Sequence, residues 1–371
     1  MTLPPHARLY LKPTWFVPTP IGLPDGSVAR MANGLIWFQA YELTAFDGAR
    51  PILRETVPVG GLDAALAQMP DRLAERGRRL AANISAQRAP LMLAGRTIRF
   101  DAPQVMAILN ITPDSFSDGG RHMDDPQAAA DVGFAMAAAG AALIDVGGES
   151  TRPKAAKLWE GDEIARIVPV IERLAAAGVA VSVDTRRAAV MEAALAAGAG
   201  IVNDVSALAH DPRSLDVVAK AGCPVILMHA PSAGDDPHDN PHGYGDVVAD
   251  VFDHLEARIA ACEAAGIARD RIMVDPGLGF GKTLADNLAL VNGLATFQAL
   301  GVPLLFAGSR KRLIGALSNE APPSERLGGS VALAFRAAQL GAQMVRVHDV
   351  RESVQALHLW RGLADAGLSA V

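Results

Sequence analysis

Eight short segments in the C-terminal three quarters of this 371-residue chain place polar or ionisable residues directly after an aliphatic run. They are Asn110 before ITPDSFSDGG, Asp145 before VGGESTRP, Asp184 with Thr185 and Arg186, Asn203 with Asp204, Met228 with His229, Asp275 before PGLGFGKT, Ser309-Arg310-Lys311, and Arg346 with His348 and Asp349. Carboxylates and amides pair with the donors of a polar ligand, whereas arginine, lysine and histidine meet resident or developing negative charge. Arg346 and His348 are two residues apart on one aliphatic run, so as a strand it points both side chains the same way. DPGLGFGKT is rich in glycine, but its spacing fits neither the dinucleotide fingerprint nor a P-loop. Gly277, Gly279 and Gly281 instead read as a turn of backbone close beneath a ligand, with Phe280 as a wall, while Lys282 has no single reading.

The elements that must carry these residues follow from a repeated phrase. From about residue 103 onward an alanine-rich helical run closes on glycine and an aliphatic strand begins within a few residues, as in AAAGAALIDV, LAAGAGIVND and QLGAQMVRV. Glycine just past a helix accepts the left-handed backbone of a C-terminal stop. Continuously apolar strands are those of a parallel sheet covered on both faces. Seven such units, with QVMAILN ahead of them, alternate strand and helix eight times, which predicts a (β/α)8 TIM barrel rather than a doubly wound open sheet. Reactive groups of that fold collect where the strands run out, and all eight strand ends here are polar.

The first hundred residues do not share the rhythm. They predict an accessory N-terminal α+β region over 1–95, for packing or oligomerisation, ahead of a barrel domain over 96–371. A strand is expected at GLIWFQAYEL, a helix from Leu62 to Arg79, and a hairpin about Ala94-Gly95-Arg96 that closes the floor of the barrel.

Composition limits the function classes. Half of the residues are hydrophobic and 20% charged, which suits a large core. A net charge of −6 leaves no basic footprint for nucleic acid or anionic lipid, so any anion site must be local. Two cysteines, Cys223 and Cys262, form no disulfide framework and point to a reducing, cytoplasmic setting. The uncharged stretch 287–309 is broken by Asn292, Gln298, Gly301 and Pro303 and reads as a globular helix and strand, not a membrane span.

The blocks MAILNITPDSFSDGG, IDVGGESTRP, VSVDT, IVNDVSAL, DPGLGFGKT, GSRK and VRVHDV, in this order, resemble those of the dihydropteroate synthases of the pterin-binding barrel superfamily. The resemblance runs from about residue 96 to the C-terminus. It implies a folate-pathway transferase in which 4-aminobenzoate displaces pyrophosphate from (7,8-dihydropterin-6-yl)methyl diphosphate. By resemblance, Asp184, Asn203 and Asp275 hold the pterin ring, with Met228 and Phe280 packed near it and Lys311 donating to it. Arg346 and His348 stand at the diphosphate, and Asn110 helps place a Mg²⁺ ion. Phe116, Thr151, Arg152, Pro153, Ser309 and Arg312 belong to the aminobenzoate pocket and its loops. The catalytic set is Asp184, Lys311, Arg346 and His348. The expected chemistry is a dissociative displacement, with Asp184 offsetting charge on the ring and two glycine-rich loops excluding water. A homodimer through the barrel helices is also implied.

The chain departs from the family pattern at Ala307 and Arg312 around GSRK. HAPSAGDDPHDNPHGY, after Met228, replaces a commoner run; its His238 and His242 read as part of a solvated lid rather than a metal loop. Two rival readings are a corrinoid-linked methyltransferase of the same superfamily and a catalytically silent pterin-binding homologue. GSRK and RVHD speak against the first, and the presence of both loops against the second.

Overall fold

A computed structural model describes residues 3–112, 125–150 and 158–369. The chain opens with β1 (Arg8–Val17), β2 (Ala29–Met31), β3 (Ile36–Asp47) and β4 (Arg50–Pro58), an antiparallel sheet in which β3 pairs with the other three. The expected strand is β3. Its long partner β1 runs through a proline, and Pro13 is tolerated because β1 lies at the sheet's edge. The helix expected from Leu62 to Arg79 is instead two, α1 (Leu62–Leu66) and α2 (Asp71–Ser85). Pro70 separates them, because proline disfavours helical backbone in the residue before it and then suits a helix start.

Eight parallel strands follow: β7 (Gln104–Asn110), β8 (Leu143–Gly147), β9 (Val181–Asp184), β10 (Ile201–Asp204), β11 (Val225–Met228), β12 (Ile272–Asp275), β13 (Leu305–Phe306) and β14 (Met344–Val347). They pair in the order β12-β11-β10-β9-β8-β7-β14-β13, and a bridge between Val274 and Leu304 closes the ring. The expected TIM barrel is therefore the fold. Around it run α3 (Pro126–Ala138), α4 (Glu160–Ala176), α5 (Ala188–Ala196), α6 (Ser214–Ala221), α7 (Val247–Ala264), α8 (Leu284–Asn292), α9 (Arg312–Leu317), α10 (Leu327–Gln339) and α11 (Val350–Ser369). The 287–309 stretch is split among α8, a 3₁₀ turn over Leu294–Leu300 and β13, and no described helix is long and apolar enough to cross a membrane.

The barrel is a packed core with a polar upper end. Met106, Leu143, Ala180, Ile201, Ile226, Met273, Leu305 and Met344, one from each strand region, form a buried apolar layer at the bottom. β5 (Leu91–Leu93) and β6 (Arg96–Ile98) plug that end, with Leu91, Leu93, Ile98 and Phe100 in the same layer. Ala94 and Gly95 both take positive φ, the geometry of a two-residue hairpin turn, at the expected position. Because strand side chains alternate, the residues two positions further along share the inward face, and these include Asp145, Asn203, Met228, Asp275 and Arg346. Two more residues reach Asn110, Gly147, Asp184 and His348 at the rim. The period of two thus sorts apolar floor from polar mouth.

The N-terminal sheet and α2 dock on α7 and on the 3₁₀ turn. The Tyr10 hydroxyl donates to Asp253 at 2.8 Å, and Arg76 grips Glu256 through two nitrogens at 2.9 and 3.0 Å. Arg88, 3% exposed, donates to the carbonyls of Asn83, Ala86 and Gln298 and to the Gln298 side chain.

Candidate active site

Arg346 is the hub of the upper barrel. Its Nε donates to Asp145 Oδ2 and an Nη to Asp184 Oδ2, both at 2.6 Å. Asp145 Oδ2 also accepts from the Asn203 amide at 3.0 Å. The other oxygen, Asp145 Oδ1, is buried and has no hydrogen-bond partner among the described residues. An unpaired buried carboxylate oxygen is costly, so the arrangement is set up to receive a donor. Burial raises the pKa of Asp184, and Arg346 pulls against that rise. Burial works against the Arg346 charge too, but Asp145 and Asp184 outweigh it and its pKa is raised.

Each candidate carboxylate differs from its neighbour in what it is free to do. Asp204, next to Asn203, points the other way and is consumed locally, accepting from the main chain of Ser206 and Leu208 and from the Ser206 hydroxyl. Asp184 does not cap the helix that follows it; the first turn of α5 is met by Asp211, which accepts from the Ala188 N–H at 2.9 Å. Asp275 is 4% exposed and accepts from the Gly277 N–H at 2.8 Å, which fixes its carboxylate, and its pKa is raised by burial.

Opposite the carboxylates is an apolar wall in which Val205, Met228, Ala230 and Phe280 pack together. The Lys311 ammonium lies 4.5 Å from the centre of the Phe280 ring, and burial lowers the Lys311 pKa to about 8. Lys311 is aimed by its neighbour. Arg310 takes φ +55°, a left-handed conformation that costs an ordinary residue about 1 kcal/mol. Its side chain is held by an ion pair to Asp349, and its main chain by Ser330 and Arg326.

His348 sits at the rim beside Ser309. Ser309 Oγ accepts from the His348 main-chain N–H at 3.2 Å and lies 3.0 Å from Nδ1. The hydroxyl keeps a hydrogen and a second lone pair, so it pairs with Nδ1 in either tautomer of the neutral ring. Burial and the charges of Arg310 and Arg346 lower the His348 pKa to about 4, so the ring is neutral at neutral pH. Ser309 is thus placed as the partner of His348. Asn110 closes the group: a Cβ on Gly147 would lie 3.4 Å from both Asn110 Oδ1 and Asp184 Cβ, in van der Waals contact with each, so these two side chains flank the same corner.

The structure therefore gathers Asn110, Asp184, Asn203, Met228, Asp275, Phe280, Ser309, Lys311, Arg346 and His348 at one barrel mouth. Arg312 is exposed at the start of α9. Phe116, Thr151, Arg152 and Pro153 lie outside the described residues. Sequence reasoning left Asp145 out of the site, although its strand position, in phase with Leu143 and Gly147, marks it as inward. It also read His238 and His242 of the 229–244 segment as part of a solvated lid. His242 is exposed, but His238 stacks on Phe280 at 4.7 Å with 13° between the ring planes, because a flat ring covers the outer face of that wall. Among the described residues no three His, Cys, Asp or Glu side chains are grouped to hold a metal.

The sequence model of the family described as pterin binding enzyme matches residues 106–348. The dihydropteroate synthase of Escherichia coli K12 is 44% identical over 281 residues, 76% of this chain and 97% of that protein. The enzyme of the same name from Mycobacterium leprae is 47% identical over 270 residues, 71% of this chain and 94% of its own. Among solved structures, Xanthomonas albilineans dihydropteroate synthase with 4-aminobenzoic acid superposes with a TM-score of 0.70 at 49% identity, covering 75% of this chain and 98% of that one. The same protein in complex with 7,8-dihydropteroate gives 0.66 at 48% identity, over 74% and 98%.

Proposed function

The chain belongs to the pterin-binding enzyme family and, within it, to the dihydropteroate synthases, and from that premise we propose that it condenses (7,8-dihydropterin-6-yl)methyl diphosphate with 4-aminobenzoate to give 7,8-dihydropteroate and pyrophosphate. The observation that carries this reading in the site itself is the inward cluster Asp145, Asp184, Asn203 and Asp275 facing the wall of Met228 and Phe280, with Asp145 Oδ1 left unpaired. A pterin presents a guanidine-like edge of donors and a flat apolar face, and these two halves of the barrel complement them.

In this reading the pterin lies between Phe280 and Arg346. Asp145, Asn203 and Asp275 take its ring donors, and Lys311 donates to a ring acceptor. The diphosphate points to the rim, where Arg346 and His348 meet charge that builds on the bridging oxygen as the carbon–oxygen bond breaks. The bond's electron pair leaves with pyrophosphate, Asp184 offsets the positive charge on the dihydropterin methylene, and the aminobenzoate nitrogen then bonds to that carbon and loses a proton. The residues fit a Mg²⁺ ion that accompanies the diphosphate, since Asn110 Oδ1 is a hard oxygen beside Asp184. Such an ion supplies charge neutralisation to the leaving group. Phe116, Thr151, Arg152, Pro153 and Arg312 are assigned to the aminobenzoate side of the mouth.

The protein is read as a cytoplasmic homodimer. Two free, buried cysteines suit a reducing compartment, and Leu359 and Leu363, one turn apart on α11 and each 60% exposed, offer an apolar face for a second copy. The test of activity is pyrophosphate release by the purified chain with Mg²⁺. Release accompanied by 7,8-dihydropteroate when 4-aminobenzoate is present supports the reading; none, with the pterin diphosphate tightly bound, favours the silent homologue.

A further inference from the structure

Behind the wall that Phe280 presents lies a half-buried lysine to which nothing above gives a role. Lys282 Nζ donates to the carbonyl of Gly277 at 2.9 Å and to the carbonyl of Phe280 at 3.1 Å, and it lies 3.0 Å from His229 Nδ1. An ammonium has three hydrogens, and each has one acceptor here. The acceptor set is neutral: two main-chain oxygens and an imidazole that burial and the nearby Lys282 charge hold unprotonated, with a pKa near 2. A pairing chosen for charge would have used a carboxylate; this one binds three points of backbone and ring into a fixed shape.

The shape is that of the turn carrying two groups of the site. Gly277 takes φ +68°, and a Cβ there would lie 1.9 Å from the His229 carbonyl oxygen, so the turn and the end of β11 are in direct contact. The carbonyl of Gly277 is held by Lys282, and its N–H fixes Asp275 at 2.8 Å. The carbonyl of Phe280 is likewise held by Lys282, while the ring packs on Met228 in the apolar wall. The His229 main-chain N–H donates to the Asp275 carbonyl at 2.9 Å, which closes the circuit.

We propose that Lys282 is a positioning residue for the pterin subsite, clamping the Gly277–Phe280 turn against His229 so that Asp275 and Phe280 keep the spacing that one flat heterocycle requires. The inference rests on the reading that the pterin binds between these groups. Lys282 touches no substrate; it acts through Asp275 and Phe280.

The full-length chain tests this with Lys282→Met, which keeps the stem and removes the donors, and with Lys282→Cys before and after aminoethylation, which rebuilds an ammonium of nearly the same length. The expected result is a KM for the pterin diphosphate raised about tenfold, with kcat and the KM for 4-aminobenzoate within twofold of the parent. Aminoethylation of the Cys variant, but not of the parent, is expected to bring the pterin KM back to within twofold. Titration calorimetry with 6-hydroxymethyl-7,8-dihydropterin reads the same loss without turnover. A parent that binds this pterin, and a Met variant that binds it tenfold less well, support the clamp even if neither releases pyrophosphate, an outcome that would refute only the transferase reading. Unchanged pterin affinity in the Met variant, equal losses in both KM values and kcat together with a lowered Tm, or absence of rescue would overturn the proposal.

Discussion

Arg346 Nε and Asp145 Oδ2 are 201 positions apart in sequence and 2.6 Å apart across the barrel. They meet because each occupies the inward position one step above the apolar floor, Asp145 two residues after Leu143 and Arg346 two after Met344. Asp145→Asn replaces the carboxylate whose Oδ2 serves both Arg346 and Asn203 with a weaker, neutral acceptor. We expect kcat/KM for the pterin diphosphate to fall by at least about 100-fold, and unfolding free energy by about 2 kcal/mol, the range for losing hydrogen bonds to a charged group. Steady-state kinetics and denaturant melts check both. Arg346→Lys, with one point of charge in place of a fork, is expected to lose contact with either Asp145 or Asp184 and to match the kinetic loss.

Lys311 gives the alkaline limb of the pH profile. Its function in the proposed mechanism requires the protonated, donating form, and its pKa in the free protein is lowered by burial to about 8. The value of kcat/KM for the pterin diphosphate should therefore fall as pH rises through 8, approaching tenfold per unit, while Asp184, which must be ionised to offset the methylene charge and whose pKa burial raises to about 7, sets a separate acid limb. In Lys311→Arg the guanidinium holds its proton, and the alkaline limb is expected to move out of the measurable range even though the absolute rate is lower. A limb unchanged in Lys311→Arg would assign it to another group.

His348 gives a stability limb on the acid side. In the unfolded chain its imidazole takes up a proton near pH 6.5, whereas the folded protein resists until about pH 4. Stability from this group is thus full above pH 6.5 and is lost as pH falls from 6.5 towards 4, by about 2 kcal/mol at pH 5. Thermal melts should show a smaller Tm drop between pH 7 and pH 5 in His348→Gln than in the parent. His254 adds a second contribution of the same sign, since burial lowers its pKa to about 4 as well.

Arg88 tests the union of the N-terminal region with the barrel. Its guanidinium, almost wholly buried, satisfies three main-chain carbonyls and the Gln298 side chain. Arg88→Met removes these four hydrogen bonds, although Gln298 keeps Gly301 and Gln343 as donors, and is expected to cost about 3 kcal/mol, seen as a lower denaturant midpoint. Arg88 lies with the hairpin end of the barrel, far from the mouth, so KM values for both substrates are expected to stay within twofold.

Much of the barrel was legible because its physics is local. Aliphatic strands, alanine-rich helices and their terminal glycines repeat, and the two-residue alternation within each strand separates Asn203, which faces inward, from Asp204, which ties its own turn. What was not legible depended on partners distant in sequence. Asp145 looked like one acidic residue before a glycine-rich loop until Arg346 and Asn203 converged on it. Lys282, in a GK pair, has no single reading in the sequence, and only the folded turn shows its ammonium met by two main-chain carbonyls and the His229 ring. His238 sits in a polar, proline-broken segment, where nothing in the sequence announces a stack on Phe280. Pro13 concealed β1 and Pro70 split an expected helix, the first because an edge strand spares an N–H and the second because a proline starts helices more readily than it continues them.

The most direct test of the central claim is product stoichiometry. Purified chain incubated with (7,8-dihydropterin-6-yl)methyl diphosphate, 4-aminobenzoate and Mg²⁺ is followed by phosphorus NMR for pyrophosphate and by chromatography for 7,8-dihydropteroate. One pyrophosphate for each dihydropteroate, with dihydropteroate absent when 4-aminobenzoate is withheld and both products reduced at least about 100-fold in Asp145→Asn, is the result expected. Pyrophosphate without dihydropteroate, or neither product above the enzyme-free rate, would contradict it.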